Sequence, residues 1–140
     1  MQKVGNRMHF WQVAMRPGKP LAYGAMSGIP LFGLPGNPVA VMVTFLQFVR
    51  NALWELMGQH PKPVFSFQAI CTTPIKKAAG RTEFQRGILT QGEDGIWMVK
   101  TTGEQGSGIL SSMSRANCFI VLPLEQGNVE KGSVVHIQLF

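Results

Sequence analysis

The stretch GLPGNP, Gly33 to Pro38, runs directly into VAVMVTFLQFV, Val39 to Val49. This junction decides how the first half of the chain folds. Asn37 is a favoured N-cap, and Pro38 suits the first helical position, where no amide hydrogen is required. Apolar residues then recur at Val39, Met42, Leu46, Val49, Leu53 and Leu56, a three-four spacing that marks one face of a helix. Gly58 and Pro61 stop it. Val41, Val43 and Phe45 are apolar as well, so the helix is expected to be covered on several sides. Its first turn opens out of a glycine-proline loop, where free backbone amides and the positive end of the helix dipole suit a phosphate or another anion. A well-capped core helix without a ligand would carry the same spacing. No Gly-Lys-Ser/Thr follows, so the loop is not a Walker loop.

Working outward, FWQVAM, LAYGAM and IPLFGL read as strands, with a loop RPGKP and a hairpin-type turn around Ser27-Gly28 between them. This order suggests part of an α/β layer, too short for a complete doubly wound domain. At GQHPKP, Gly58 to Pro63, the pattern changes to period two. VFSFQAIC alternates, and TEFQRGILT, IWMVKTT, NCFIVLP and SVVHIQLF follow with turns such as GEDG and EQGN between them. Five short strands of this kind suggest a small antiparallel barrel or sandwich.

The chain has 140 residues, enough for one ordinary domain or two small ones, and its 45% hydrophobic content argues for a folded protein. Thirteen Lys+Arg against seven Asp+Glu make an anionic partner plausible. The cations are scattered and no aromatic-basic stripe interleaves them, so nucleic acid is not expected. Gln47, Arg50, Asn51 and Glu55 interrupt the apolar helix, and no membrane span is expected. The N-terminus MQKVGNRMHF has no apolar signal region. Cys71 and Cys118 read as buried free thiols, which fits a cytoplasmic location. His9, His60 and His136 are far apart and lack ligand-spaced partners, so no metal site is drawn.

Several motifs stand together in one order. They are VAMRPGKP at Val13 to Pro20, GLPGNP, GRTEFQRG at Gly80 to Gly87, TTGEQGSGILSS at Thr101 to Ser112, ANCFIVLP and GNVEKG. In this the chain resembles the C-terminal part of the MoeA family, the molybdopterin molybdenumtransferases to which the E domain of gephyrin also belongs. The resemblance implies an α/β stub, the end of a MogA-like molybdopterin-binding domain, over residues 1–60, and a small antiparallel β-barrel over residues 61–140. It also implies insertion of molybdate into adenylylated molybdopterin with release of AMP, assisted by magnesium, in a homodimer. A non-catalytic pterin- or anion-binding scaffold is the alternative.

By the same resemblance Pro35, Gly36, Asn37 and Pro38 border the pterin-nucleotide pocket, and Arg16 lies where the family has a functional basic residue. Arg16 and Lys19 flank a Pro-Gly turn, an arrangement able to hold phosphate or molybdate, though a solvated basic turn looks the same in sequence. Gln12 stands where many relatives have lysine. Arg86 and Ser107 match active-site positions of the family. Read without it, Arg86 would be a barrel-rim salt bridge and Ser107 a helix N-cap, while Arg81 reads as a surface loop cation. Asp94 is the only aspartate and the glutamates form no cluster. Magnesium ligands are therefore expected upstream, and these 140 residues alone are expected to lack insertase activity.

Overall fold

The structure is a computed structural model that describes residues 7–106 and 108–140. Strands β1 (Arg7–Phe10), β3 (Ala22–Met26) and β4 (Ile29–Gly33) form an antiparallel three-stranded sheet in the order β1-β3-β4. The β3–β4 hairpin turns at Ser27 and Gly28, with φ of 51° and 81°. Both central residues of a type I′ turn need positive φ, so this turn matches the right-handed twist of its strands.

Asn37 is the N-cap residue and Pro38 opens helix α1 (Pro38–Thr44). A π-helical segment (Phe45–Val49) and helix α2 (Arg50–Leu56) continue it without a break. The end is a Schellman cap: Gly58 sits at φ 74°, its amide donates to the Glu55 carbonyl, and the Gln59 amide donates to the Trp54 carbonyl. Only the first part of this helix is well covered, through Val39, Ala40, Val43 and Thr44, while Phe45, Leu53 and Leu56 remain exposed. The stretch Pro38–Leu56 is 19 residues with mean hydropathy 1.3, long and apolar enough to cross a membrane by length and composition alone. Gln47, Arg50, Asn51 and Glu55 fall inside this stretch. They lie within one continuous helix, and a core helix of a soluble protein passes the same measure.

The barrel is closed by five strands, β5 (Ser66–Cys71), β6 (Thr82–Gln91), β7 (Trp97–Thr101), β8 (Cys118–Leu122) and β9 (Val134–Leu139), in the order β6-β7-β5-β9-β8 and back to β6. Four of these pairings are antiparallel, and closure runs through one parallel pairing between β5 and β7. Strand β6 makes the closure possible by serving two partners: Glu83–Gly87 faces β8, and Gly87–Gln91 faces β7. Gly87, where the partners change, has no room for a side chain. A Cβ there would stand 2.9 Å from both Cys118 Sγ and Val99 Cγ2. The barrel interior is filled by alternate residues of the strands, among them Ala69, Cys71, Leu89, Val99, Cys118, Ile120 and Ile137. Both cysteines are free and buried.

The two halves share structure. Strand β2 (Met15–Arg16) leaves the first half and adds to β6 in parallel. A second core of Met15, Val39, Val43, Met113 and Phe119 packs α1, and helix α3 (Leu110–Arg115), against the outside of the barrel. This seam positions the loops after β2 and before α1 beside the barrel.

Candidate anion-binding cleft

A cleft of about 500 Å³ opens along that seam. One wall is the loop after β2, with Arg16, Pro17, Gly18, Lys19 and Pro20; another is Pro35, Gly36 and Asn37, ahead of α1; Arg81, Gln105 and Gly106 come from the barrel side. Five of the residues expected from sequence, Arg16, Lys19, Pro35, Gly36 and Asn37, are thus brought together. Pro38 stands at the helix start beside them, outside the lining. Ser107 lies outside the described residues. Its neighbours are placed: Gly106 lines the cleft, and a Cβ built on Gly108 would come within 4.0 Å of Asn37 Nδ2.

The RPGKP loop is held by close packing. Gly18 has φ of 110°, and a Cβ there would meet Thr44 Cγ2 at 2.5 Å. Only glycine lets the loop lie this close to α1. The Val13 amide donates to the Lys19 carbonyl, closing the loop at its base. The Arg16 side chain is 55% exposed, and its Nη1 is 3.7 Å from Oε1 of buried Glu83, whose Oε2 accepts from Gln85 Nε2. With Arg16 so exposed, this ion pair is weak and leaves the guanidinium able to turn to a ligand.

Arg86 is placed differently from the other sequence candidates. It is 1% exposed and does not line the cleft. Its Nε donates to Ser112 Oγ at 2.9 Å, and its Nη2 donates to the Gly106 carbonyl at 3.0 Å. Gln105 clasps its backbone, accepting from the Arg86 amide and donating to the Arg86 carbonyl. Arg86 therefore sits directly behind the wall formed by Gln105 and Gly106. It has no carboxylate partner among the described residues. Burial, and then the neighbouring charge of Arg16, hold its guanidinium below the ordinary arginine range. A buried cation without a counter-ion, behind a cleft rimmed by further cations, raises the potential in the cleft.

Arg81, read from sequence as a surface cation, lines this cleft and also a neighbouring cavity of about 360 Å³ shared with Gln12, Lys19 and Gly80. Sequence spacing could not reveal this, because Arg81 meets Lys19 only through the β2–β6 pairing. Gln105 carried no signal for a similar reason, since its role comes from clasping β6. No group of three or more His, Cys, Asp or Glu comes together among the described residues, so these residues do not fit a magnesium site.

Fold and cleft together make a closed barrel with a cationic seam against a proline-capped helix. The family models for "Probable molybdopterin binding domain" and "MoeA C-terminal region (domain IV)" match residues 1–55 and 68–140, and the chain belongs to the MoeA family. It is 45% identical to a molybdopterin molybdenumtransferase of Haemophilus influenzae over 100% of this chain and 35% of that protein. It is 32% identical to gephyrin of Dictyostelium discoideum over 96% of this chain and 22% of that one. Among solved structures, a molybdenum cofactor biosynthesis protein of Pyrococcus furiosus matches with TM-score 0.75 at 31% identity, covering 95% of this chain and 45% of that one. The molybdopterin biosynthesis MoeA protein of Pyrococcus horikoshii matches with TM-score 0.73 at 28% identity, covering 95% and 32%. The chain spans about a third of the length of the first of these curated relatives.

Proposed function

We propose that this chain supplies one wall of the active site of a molybdopterin molybdenumtransferase, which inserts molybdate into adenylylated molybdopterin and releases AMP. The observation that carries this reading is the convergence of Arg16, Lys19 and Arg81 with the Pro35–Gly36–Asn37 loop around one cleft backed by Arg86. The prolines fix the loop. Gly36, with nothing within 4 Å of where a Cβ would stand, leaves room for a ligand to approach the backbone. Arg16 and Lys19 hold phosphate or molybdate oxygens and stabilise the charge that develops on the departing adenylate. Their long side chains allow them to follow that charge.

Residues 1–60 act in this reading as the end of the molybdopterin-binding domain and residues 61–140 as the C-terminal barrel. Magnesium would be held by carboxylates outside these 140 residues, since those described offer no cluster for it. The protein works in the cytoplasm as a homodimer. A scaffold that binds the pterin nucleotide without turning it over is the second reading, favoured by that same lack of an acid cluster. Cofactor formation from adenylylated molybdopterin, molybdate and magnesium tests the choice in the full protein. Turnover that falls in Arg16→Ala and Lys19→Ala supports the transferase. Binding without turnover in the unaltered protein supports the scaffold.

A further inference from the structure

Lys77 is a charged residue that the cleft does not use, yet it is only 5% exposed. Its ammonium donates to three backbone carbonyls, those of Gln126 at 2.7 Å, Ala78 at 3.3 Å and Leu124 at 3.5 Å. An ammonium has three donors, and each has a carbonyl here. No carboxylate pairs with it among the described residues. The Lys77 amide donates to Asn128 Oδ1, so the residue ties the 76–80 segment to the 123–128 turn at both ends of its length. The segment is pinned further along as well. The Gly80 amide donates to the Leu124 carbonyl that Lys77 also reaches, and the Thr82 amide donates to the Ala14 carbonyl at the base of the cationic loop. Arg81 stands between these two fixed amides and faces the cleft.

We propose that Arg81 is a third anion-binding cation of this cleft and that Lys77 is its positioning residue, holding the Arg81 segment through a cage of backbone carbonyls. The inference rests on the reading of the cleft as an anion site. A buried charge with only neutral partners is a costly way to join two loops unless their relative position matters. The ligand it serves is an oxyanion, a tetrahedral oxometalate or a nucleoside monophosphate.

The test is a titration of the full protein with sodium molybdate and, separately, with AMP, in four variants: Arg16→Ala, Arg81→Ala, Lys77→Met and the Arg81→Ala/Lys77→Met pair. Arg81→Ala is expected to weaken at least one of the two anions about tenfold, the loss of one charge-assisted contact. Lys77→Met is expected to weaken the same anion, and the pair to be no weaker than Arg81→Ala alone, because Lys77 acts through Arg81. A purely structural lysine would add its loss to that of Arg81. Additive losses, or full affinity in Lys77→Met, overturn the positioning role, and full affinity for both anions in Arg81→Ala overturns the whole inference. If Arg16→Ala also keeps full affinity, the anion-cleft reading itself fails. Should Lys77→Met not fold, Lys77→Gln, which keeps an amide donor, is scored in the same way.

Discussion

Replacing Arg86 with methionine separates a structural arginine from one that shapes the field of the cleft. Its two guanidinium hydrogen bonds, to Ser112 Oγ and the Gly106 carbonyl, contribute roughly 1.5–3 kcal/mol each. Against them stands the desolvation of a cation with no carboxylate partner, several kcal/mol on its own. Methionine keeps much of the packed volume while removing both terms. The net loss of stability should therefore be small, within roughly 2 kcal/mol, or up to about 8 °C in melting temperature for a domain of this size. Binding should respond differently. A unit charge one layer behind the wall, roughly 8–15 Å from a ligand, contributes about 1–2 kcal/mol at an effective dielectric of 20. Anion affinity should fall about 5- to 30-fold. The assay pairs thermal unfolding with titration of AMP or molybdate. Affinity unchanged within about twofold, alongside a large drop in melting temperature, would refute the argument and leave Arg86 a purely structural residue.

Gly18→Ala should destabilise by roughly 1–3 kcal/mol, because φ of 110° is unfavourable for alanine and its methyl would meet Thr44 Cγ2. Adding Thr44→Ser, which removes that methyl, should recover part of the loss in thermal unfolding; no recovery would mean that backbone strain is the whole effect. Burial pushes the Cys118 thiol up from 9.0 to about 12. Between those values the unfolded thiol is ionised and the folded one is not, so stability should fall as pH rises from 9 towards 12. Cys118→Ala should flatten that fall in a series of denaturant melts, and an unchanged slope would remove Cys118 as its source. Gly87→Ala should disturb the barrel itself, with 2.9 Å contacts to Cys118 and Val99, and a melting temperature equal to that of the unaltered chain would contradict the packing.

Much of the fold was legible because its signals are local. Asn37-Pro38 and Gly58 mark the ends of a helix through capping chemistry, and Ser27-Gly28 marks a hairpin through positive φ. The period-two runs after Pro63 gave the barrel strands. The parallel β5–β7 closure and the passage of Met15–Arg16 into the barrel sheet were not legible, since both depend on pairing between distant segments. The same holds for the site. The RPGKP and GLPGNP loops announce themselves by composition, and their meeting place was implied by family resemblance. Arg81 and Gln105 carry no local signal, because an arginine beside a glycine or a glutamine in a turn is ordinary until the fold places it. The depth of Arg86 was hidden too: strand alternation told its face but not that Ser112 and Gly106 would enclose it.

The proposed transferase function requires the cleft to hold a pterin nucleotide. The decisive measurement is the dissociation constant of adenylylated molybdopterin for the full protein, its Arg16→Ala/Lys19→Ala variant, and a control variant at exposed Lys131, far along the chain from the cleft residues. Loss of two charge-assisted contacts should weaken binding by about 100-fold in the double variant and leave the control unchanged. Equal affinity in all three would contradict the assignment of this cleft.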